Sequence, residues 1–189
     1  MATGAPGTNG VWQYGEDDSE ATFSALLNKA ASTTDTQIGA DRTRLTALEA
    51  AGRVVQVVTS SVTTAFSTTS VSFVNTNLYA TITPKSSSNK ILVIVSASGA
   101  PTAGGNGMVT SVHRGGVAGT NLGNGDLGLH YWYSASATVT NGHVSVYDSP
   151  ATTSATSYYY TARSWNAGVG STPVYGTSKA TITLIEVKG

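Results

Sequence analysis

At 189 residues and 19.3 kDa the chain has room for one ordinary domain plus an extension. Ten basic residues balance ten acidic ones and only 11% of the chain is charged, so there is no basic stripe able to displace phosphate counterions, which excludes a nucleic-acid partner. With no cysteine there is no disulfide frame, thiolate nucleophile or thiolate metal site, and stability must come from packing and assembly.

Residues 1–15 are small and polar and carry no apolar period, so they read as an extended arm. There is no basic, apolar signal region, and no apolar run approaches a bilayer span; neither signal-peptide export nor membrane insertion is expected. Trp12 and Tyr14 break the pattern of the arm. Large aromatics on a plain segment point to docking, or to folding back on the helix that follows. Carboxylates at 16–20 sit where a helix starts and complement its positive end, and Phe23, Leu26, Leu27 and Ala30 follow at helical spacing, so a helix is expected over 19–31. Thr34 with Gln37 three residues on has the spacing of a capping box, so the run 32–37 reads as a break and a new start. The second helix should close at Ala51-Gly52.

That second helix contains Arg44-Leu45-Thr46-Ala47-Leu48-Glu49. With Leu45 at heptad position a and Leu48 at d, Arg44 falls at g and Glu49 at e, opposite charges that flank an apolar seam between helices. Backwards the frame gives Asp41 at d, Ile38 at a, Thr34 at d, Ala31 at a and Leu27 at d. About half the seam is strongly apolar. The hexapeptide resembles the trimerisation signature of short coiled coils, Arg-apolar-x-x-apolar-Glu, and that resemblance implies three strands. The competing reading is one amphipathic helix packed on its own domain, with both charges solvated.

From Arg53 onward the composition changes to Val, Ile, Thr, Ser, Tyr and Gly in short alternating runs separated by turn residues. Strands are expected at 54–62, 71–73, 78–83, 90–97, 108–113, 130–137, 142–148, 157–165 and 180–187. Strands of this number and length make an antiparallel β-sandwich of jelly-roll type. The fold class is therefore mainly β, in three parts: an anchoring arm and helix over 1–34, a short trimeric coiled coil over 35–53, and a C-terminal sandwich over 54–189. The glycine-dense stretches 99–107 and 114–128, with Asn106, Asn121, Asn124 and Asp126, read as long loops, functional or mobile.

Little in this pattern supports catalysis. Glycoside hydrolysis normally needs two flanking carboxylates, and from Val54 onward there are three in all, Asp126, Asp148 and Glu186. His113, His130 and His143 lack short ligand spacing and fall on three different expected strands, and no Gly-x-Ser-x-Gly elbow is present. No enzyme, metal or cofactor is expected. Binding is the better case: His130-Tyr131-Trp132-Tyr133, Tyr158-Tyr159-Tyr160 and Trp165-Asn166 concentrate aromatics, and alternate members of a strand point away from the core. Trp132, Tyr159, Trp165 and Asn166 are the candidate glycan contacts, with packing against a neighbouring subunit as the competing use.

Two further stretches carry a family resemblance. One is residues 10–29, GVWQYGEDDSEATFSALLNK; the other is VSF at 71–73 through LYATITP at 78–84 and SNKILV at 88–93. The chain resembles bacteriophage tail-fibre and minor tail proteins, especially those of phages infecting actinobacteria. The resemblance implies a virion protein assembled in the host cytoplasm. It would dock on other virion proteins through Trp12, Tyr14, Phe23, Leu26 and Leu27, and trimerise through Ile38, Arg44, Leu45, Leu48 and Glu49. Its β domain would face a host-surface glycan. The alternatives are a capsid decoration or head-fibre protein of the same architecture and, ranked below both, a glycan-cleaving tail enzyme.

Overall fold

The computed structural model describes residues 20–50, 53–176 and 178–189, with helix side chains described from Phe23 to Glu49. The arm residues Trp12 and Tyr14 and the expected helix closure at Ala51-Gly52 lie outside the described residues. Half of the chain is strand and 17% is helix, so the protein is mainly β. It divides into two units, Met1–Ala51 and Gly52–Gly189.

The first unit contains one helix, α1 (Glu20–Ala50), 31 residues long. The break expected over 32–37 is absent. The Ser/Thr run that reads as a cap is accommodated inside the helix by back-bonding. The hydroxyls of Thr33, Thr34 and Thr36 donate to the carbonyls of Lys29, Ala30 and Ser32 at 2.8–2.9 Å, and Thr43 and Thr46 repeat the arrangement with Gly39 and Arg42. The heptad frame therefore runs uninterrupted from Leu27 to Leu48. Every residue from Ala31 to Glu49 is exposed.

The second unit is built from β1 (Val54–Val62), β2 (Phe66–Thr68), β3 (Val74–Ile82), β4 (Lys90–Pro101), β5 (Asn106–Arg114), β6 (Thr120–Asn121), β7 (His130–Ser134), β8 (Thr140–Asp148), β9 (Thr156–Ser164), β10 (Ser171–Val174) and β11 (Ala180–Val187). All the pairings are antiparallel. In the first sheet β11 lies between β1 and β4, β8 pairs with the other side of β4, and β10 and β2 extend the sheet at the Pro101 end. In the second, β9 lies between β3 and β5, and β7 and β6 share the far side of β5. One apolar core fills the space between them: Leu78, Ala80 and Ile82 with Tyr158 and Tyr160 from the second sheet meet Ile91, Val93, Val95, Ile182 and Leu184 from the first.

Several expected boundaries move. Val71 to Phe73 is a bend leading into β3 rather than a strand, β4 runs on to Pro101, and β7 stops at Ser134. The loop expected over 99–107 shrinks to residues 102–105. The stretch 114–128 is a tied-down loop: Gly115 N–H donates to Ser157 O and Val117 N–H to Asn75 Oδ1, while Leu122 and Leu129 N–H reach Val112 O and Thr110 O, all at 2.8–2.9 Å. Gly115, Gly116 and Gly128 take positive φ there, a conformation open to glycine at little cost.

Two polar clasps close the sandwich. Glu186 on β11 is fully buried and accepts from Gln56 Nε2 at 2.5 Å, Asn89 Nδ2 at 2.6 Å and Lys85 N–H at 2.7 Å, joining β1, the β3–β4 turn and β11. Between the sheets, Asp148 on β8 accepts from Arg114 Nη1 at 2.9 Å and from the buried Tyr158 hydroxyl at 2.7 Å.

Candidate binding face

The alternation of each strand decides which aromatics can meet. On β9, Tyr158, Tyr160 and Ala162 are buried on the core side, so Tyr159, Thr161 and Arg163 take the outer face of the second sheet. On β5, Met108 points inward, its thioether against Gly99 of β4, so Gly107 and Val109 face outward. Register then places Tyr131 and Tyr133, the partners of Val109 and Gly107, on that same outer face. Trp132 is the partner of Met108 and lies half-buried on the inner side.

The exposed group that results is Tyr131, Tyr133 and Trp165, with Asn166 beside them. The rings of Tyr131 and Trp165 pack at 4.9 Å, tilted by 49°. Gly107 makes this contact possible, since a Cβ there would lie 2.7 Å from the Tyr131 ring and 3.0 Å from Trp165 Cβ. The Arg163 guanidinium lies 5.2 Å from the Trp165 ring and 5.9 Å from that of Phe73, and it donates to the carbonyl oxygens of Asp126 and Val71. It thus fastens two loops over the sheet. Beneath Phe73, His113 is buried with Nδ1 2.8 Å from Thr161 Oγ1, and burial pushes its pKa below the ordinary 6.5. Tyr159 forms a separate pair, stacked on Tyr79 at 5.0 Å.

The loops carrying Trp165 and Asn166 are held by one buried amide. Asn106 Nδ2 donates to Ser164 Oγ at 3.0 Å and to Gly170 O at 3.2 Å, and its Oδ1 accepts from Asn166 N–H at 3.0 Å. Asn166 Nδ2 in turn reaches Gly105 O at 2.8 Å. The aromatic group is therefore preorganised rather than carried on a slack loop. Alongside, Ser67, Thr68, Thr69, Thr102, Gly168 and Gly170 line an open groove of about 570 Å³ with hydroxyls and backbone.

Of the four expected contacts, the fold thus brings Trp165 and Asn166 together, sets Tyr159 apart with Tyr79, and turns Trp132 to the inner side. Sequence reasoning missed Tyr131, Tyr133 and Arg163. In His-Tyr-Trp-Tyr-Ser, alternation separates Trp132 from its two tyrosines but does not say which set faces out; only the pairing with β5 settles that. Of the other charged and imidazole groups, Asp148 and Glu186 are occupied by the clasps described above. His130 is the inward-facing partner of Thr110, and His143 is exposed on the outer face of the first sheet.

In the first unit, Leu45 and Leu48 are 59% and 72% exposed and Phe23, Leu27 and Ile38 are also exposed, while Leu26 is half-buried. Arg44 lies 3.7 Å from Asp41 on its own helix, both solvated. No protein-family model matches the chain, and no curated protein matches it significantly.

Proposed function

We propose that the chain is a non-enzymatic structural protein of a bacteriophage virion, a tail-fibre or tail-tip component. In this reading three copies join through α1, the N-terminal segment docks on other virion proteins, and the β unit is displayed toward the host surface. The observation that carries it is the state of α1: a 31-residue helix, about 46 Å long, that exposes Ile38, Leu45 and Leu48. Isolated helices are marginal in water and draw their stability from burying an apolar stripe. Two further copies would cover this one, with Arg44 exchanging its solvated Asp41 for Glu49 of a neighbour.

The β unit supports a jelly roll in this reading. If the short β2, β6 and β10 are set aside, eight strands remain, and in chain order the first sheet takes the first, eighth, third and sixth, the second sheet the second, seventh, fourth and fifth. That is the interleaving of two Greek keys wound together. A non-catalytic role is supported by the Asp148 and Glu186 carboxylates, both consumed in structural hydrogen bonds. The preorganised Tyr131, Tyr133 and Trp165 group suits the apolar faces of sugar rings, which gives the display of the β unit a purpose.

Sedimentation of the full chain at micromolar concentration is expected to give three times the 19.3 kDa subunit mass. Leu45→Asp with Leu48→Asp should return it to one subunit with the β unit still folded. A wild-type chain that sediments as a monomer overturns the proposal. Density for three copies at one tail site in the intact particle would locate it; density on the capsid would make it a head fibre instead.

A further inference from the structure

Among the described residues the outer face of the first sheet is regular, exposed at Val57, Ile94 and Tyr147, and almost uncharged. Its inward side is fixed by Ile91, Val93, Val95, Ile182 and Leu184, so the alternate residues of the same strands face out. The registers line these up in rows. Val57 of β1 is opposite Ile185 of β11, Ile185 is opposite Leu92 of β4, and Leu92 is opposite Tyr147 of β8, an apolar row crossing all four long strands. Val57 and Tyr147 at its two ends are 55% and 60% exposed. The next row, Thr59, Thr183, Ile94 and Ser145, is again neutral, and exposed Ile94 lies within it. Lys90 is the sole fully charged outward residue on these four strands, at the end of β4.

A free sheet face of this kind normally carries charge, which keeps monomers apart. A neutral face of valine, isoleucine, tyrosine and hydroxyls can meet another protein surface without stranding an ion, as the centres of permanent interfaces do. The occupant follows from chain connectivity. Only residues 51–53 join α1 to β1, so Val54 can be no further than about 14 Å from the end of the helix whatever the orientation of the two units. Whatever gathers three α1 helices must therefore gather three β1 strands.

We propose that this face, centred on the Val57, Ile185, Leu92 and Tyr147 row, is turned toward the other copies of the chain in the homotrimer and buried there, leaving the second sheet with Tyr131, Tyr133 and Trp165 on the outside. The proposal rests on the trimer proposed above. It adds that the β units pack on one another rather than hanging separately from the helices, and it assigns the two sheets opposite roles.

The absence of native cysteine makes a clean test possible. Single variants Val57→Cys and Tyr147→Cys on the proposed interface, with Tyr133→Cys on the opposite sheet as reference, are made in the full chain, checked for trimer mass by sedimentation, and labelled with a bulky maleimide. Thr59→Cys replaces Val57→Cys if the latter disturbs the fold. Labelling at Val57→Cys and Tyr147→Cys should be slower than at Tyr133→Cys by at least about tenfold, and should rise to match it when Leu45→Asp and Leu48→Asp separate the copies. Equal labelling in a chain that still sediments as a trimer overturns this inference and leaves the helical trimer standing. Protection that persists after separation means the chain's own segment covers the face, which also overturns it. A monomeric wild type overturns both.

Discussion

Burying a carboxylate with no solvent contact is unfavourable unless enough donors surround it, and Glu186 shows the balance tipping. Burial alone raises its pKa, but donation from Asn89, Gln56 and the backbone N–H groups of Lys85 and Ser86 outweighs this, holding it below the ordinary 4.5. His113 is pushed below its ordinary 6.5 by burial. Both shifts act in the same direction: on acidification the unfolded chain takes up protons that the folded chain refuses. The denaturation midpoint of the β unit should therefore hold above pH 6.5, fall as unfolded histidine protonates, and fall further below pH 4.5 as the pH approaches the folded value of Glu186. Replacing Glu186 with Gln puts an amide donor among donors and should lower unfolding free energy by about 1.5–3 kcal/mol, read by chemical denaturation. At alkaline pH, burial raises Tyr160 to about 12, and burial with the bond to Asp148 raises Tyr158 further. In an ultraviolet titration these two phenols should stay protonated until the fold opens.

At the scale of elements, a single helix replaces two expected ones because the same side chains can either end a helix or be absorbed by it. Ser32-Thr33-Thr34-Asp35 looks like a cap when only donors and acceptors are counted. It continues as helix because each threonine hydroxyl finds the carbonyl four residues back, leaving the backbone ladder intact. Strands that carry three or more core-facing residues were legible: β1 and β11 fall where alternation placed them. β2, β6 and β10 were not, being two to four residues long, and β10 contains Pro173, which argues against a strand until pairing at its two ends is known. The candidate face was half legible for a similar reason, since aromatic runs showed that something protrudes and could not show which parity. Within α1, Gly39 has nothing within 4 Å of where a Cβ would stand. It also falls outside the seam, so Gly39→Ala should stabilise the helix by about 0.8–1 kcal/mol, visible as a higher melting temperature in far-ultraviolet dichroism.

The molecule as a whole contains two kinds of stability. The β unit has its own buried core; α1 has an exposed stripe and, in the trimer proposed above, draws its stability from the other copies. Heating is therefore expected to show two transitions, a helical one whose midpoint rises with protein concentration and a later one from the β unit that is less sensitive to it. Calorimetry over a hundredfold concentration range would check this, and a single concentration-independent transition would contradict the division.

The position of β11 has a consequence for how the protein is made. The final strand lies between β1 and β4, so the first strand has no sheet neighbour until residues 180–187 exist. During synthesis β1, an uncharged run of Val, Gln, Thr and Ser, must wait unpaired through some 120 residues of translation. In the trimer proposed above, a polypeptide that stops before residue 180 would bring a working helix and an open sheet to the two intact copies it joins.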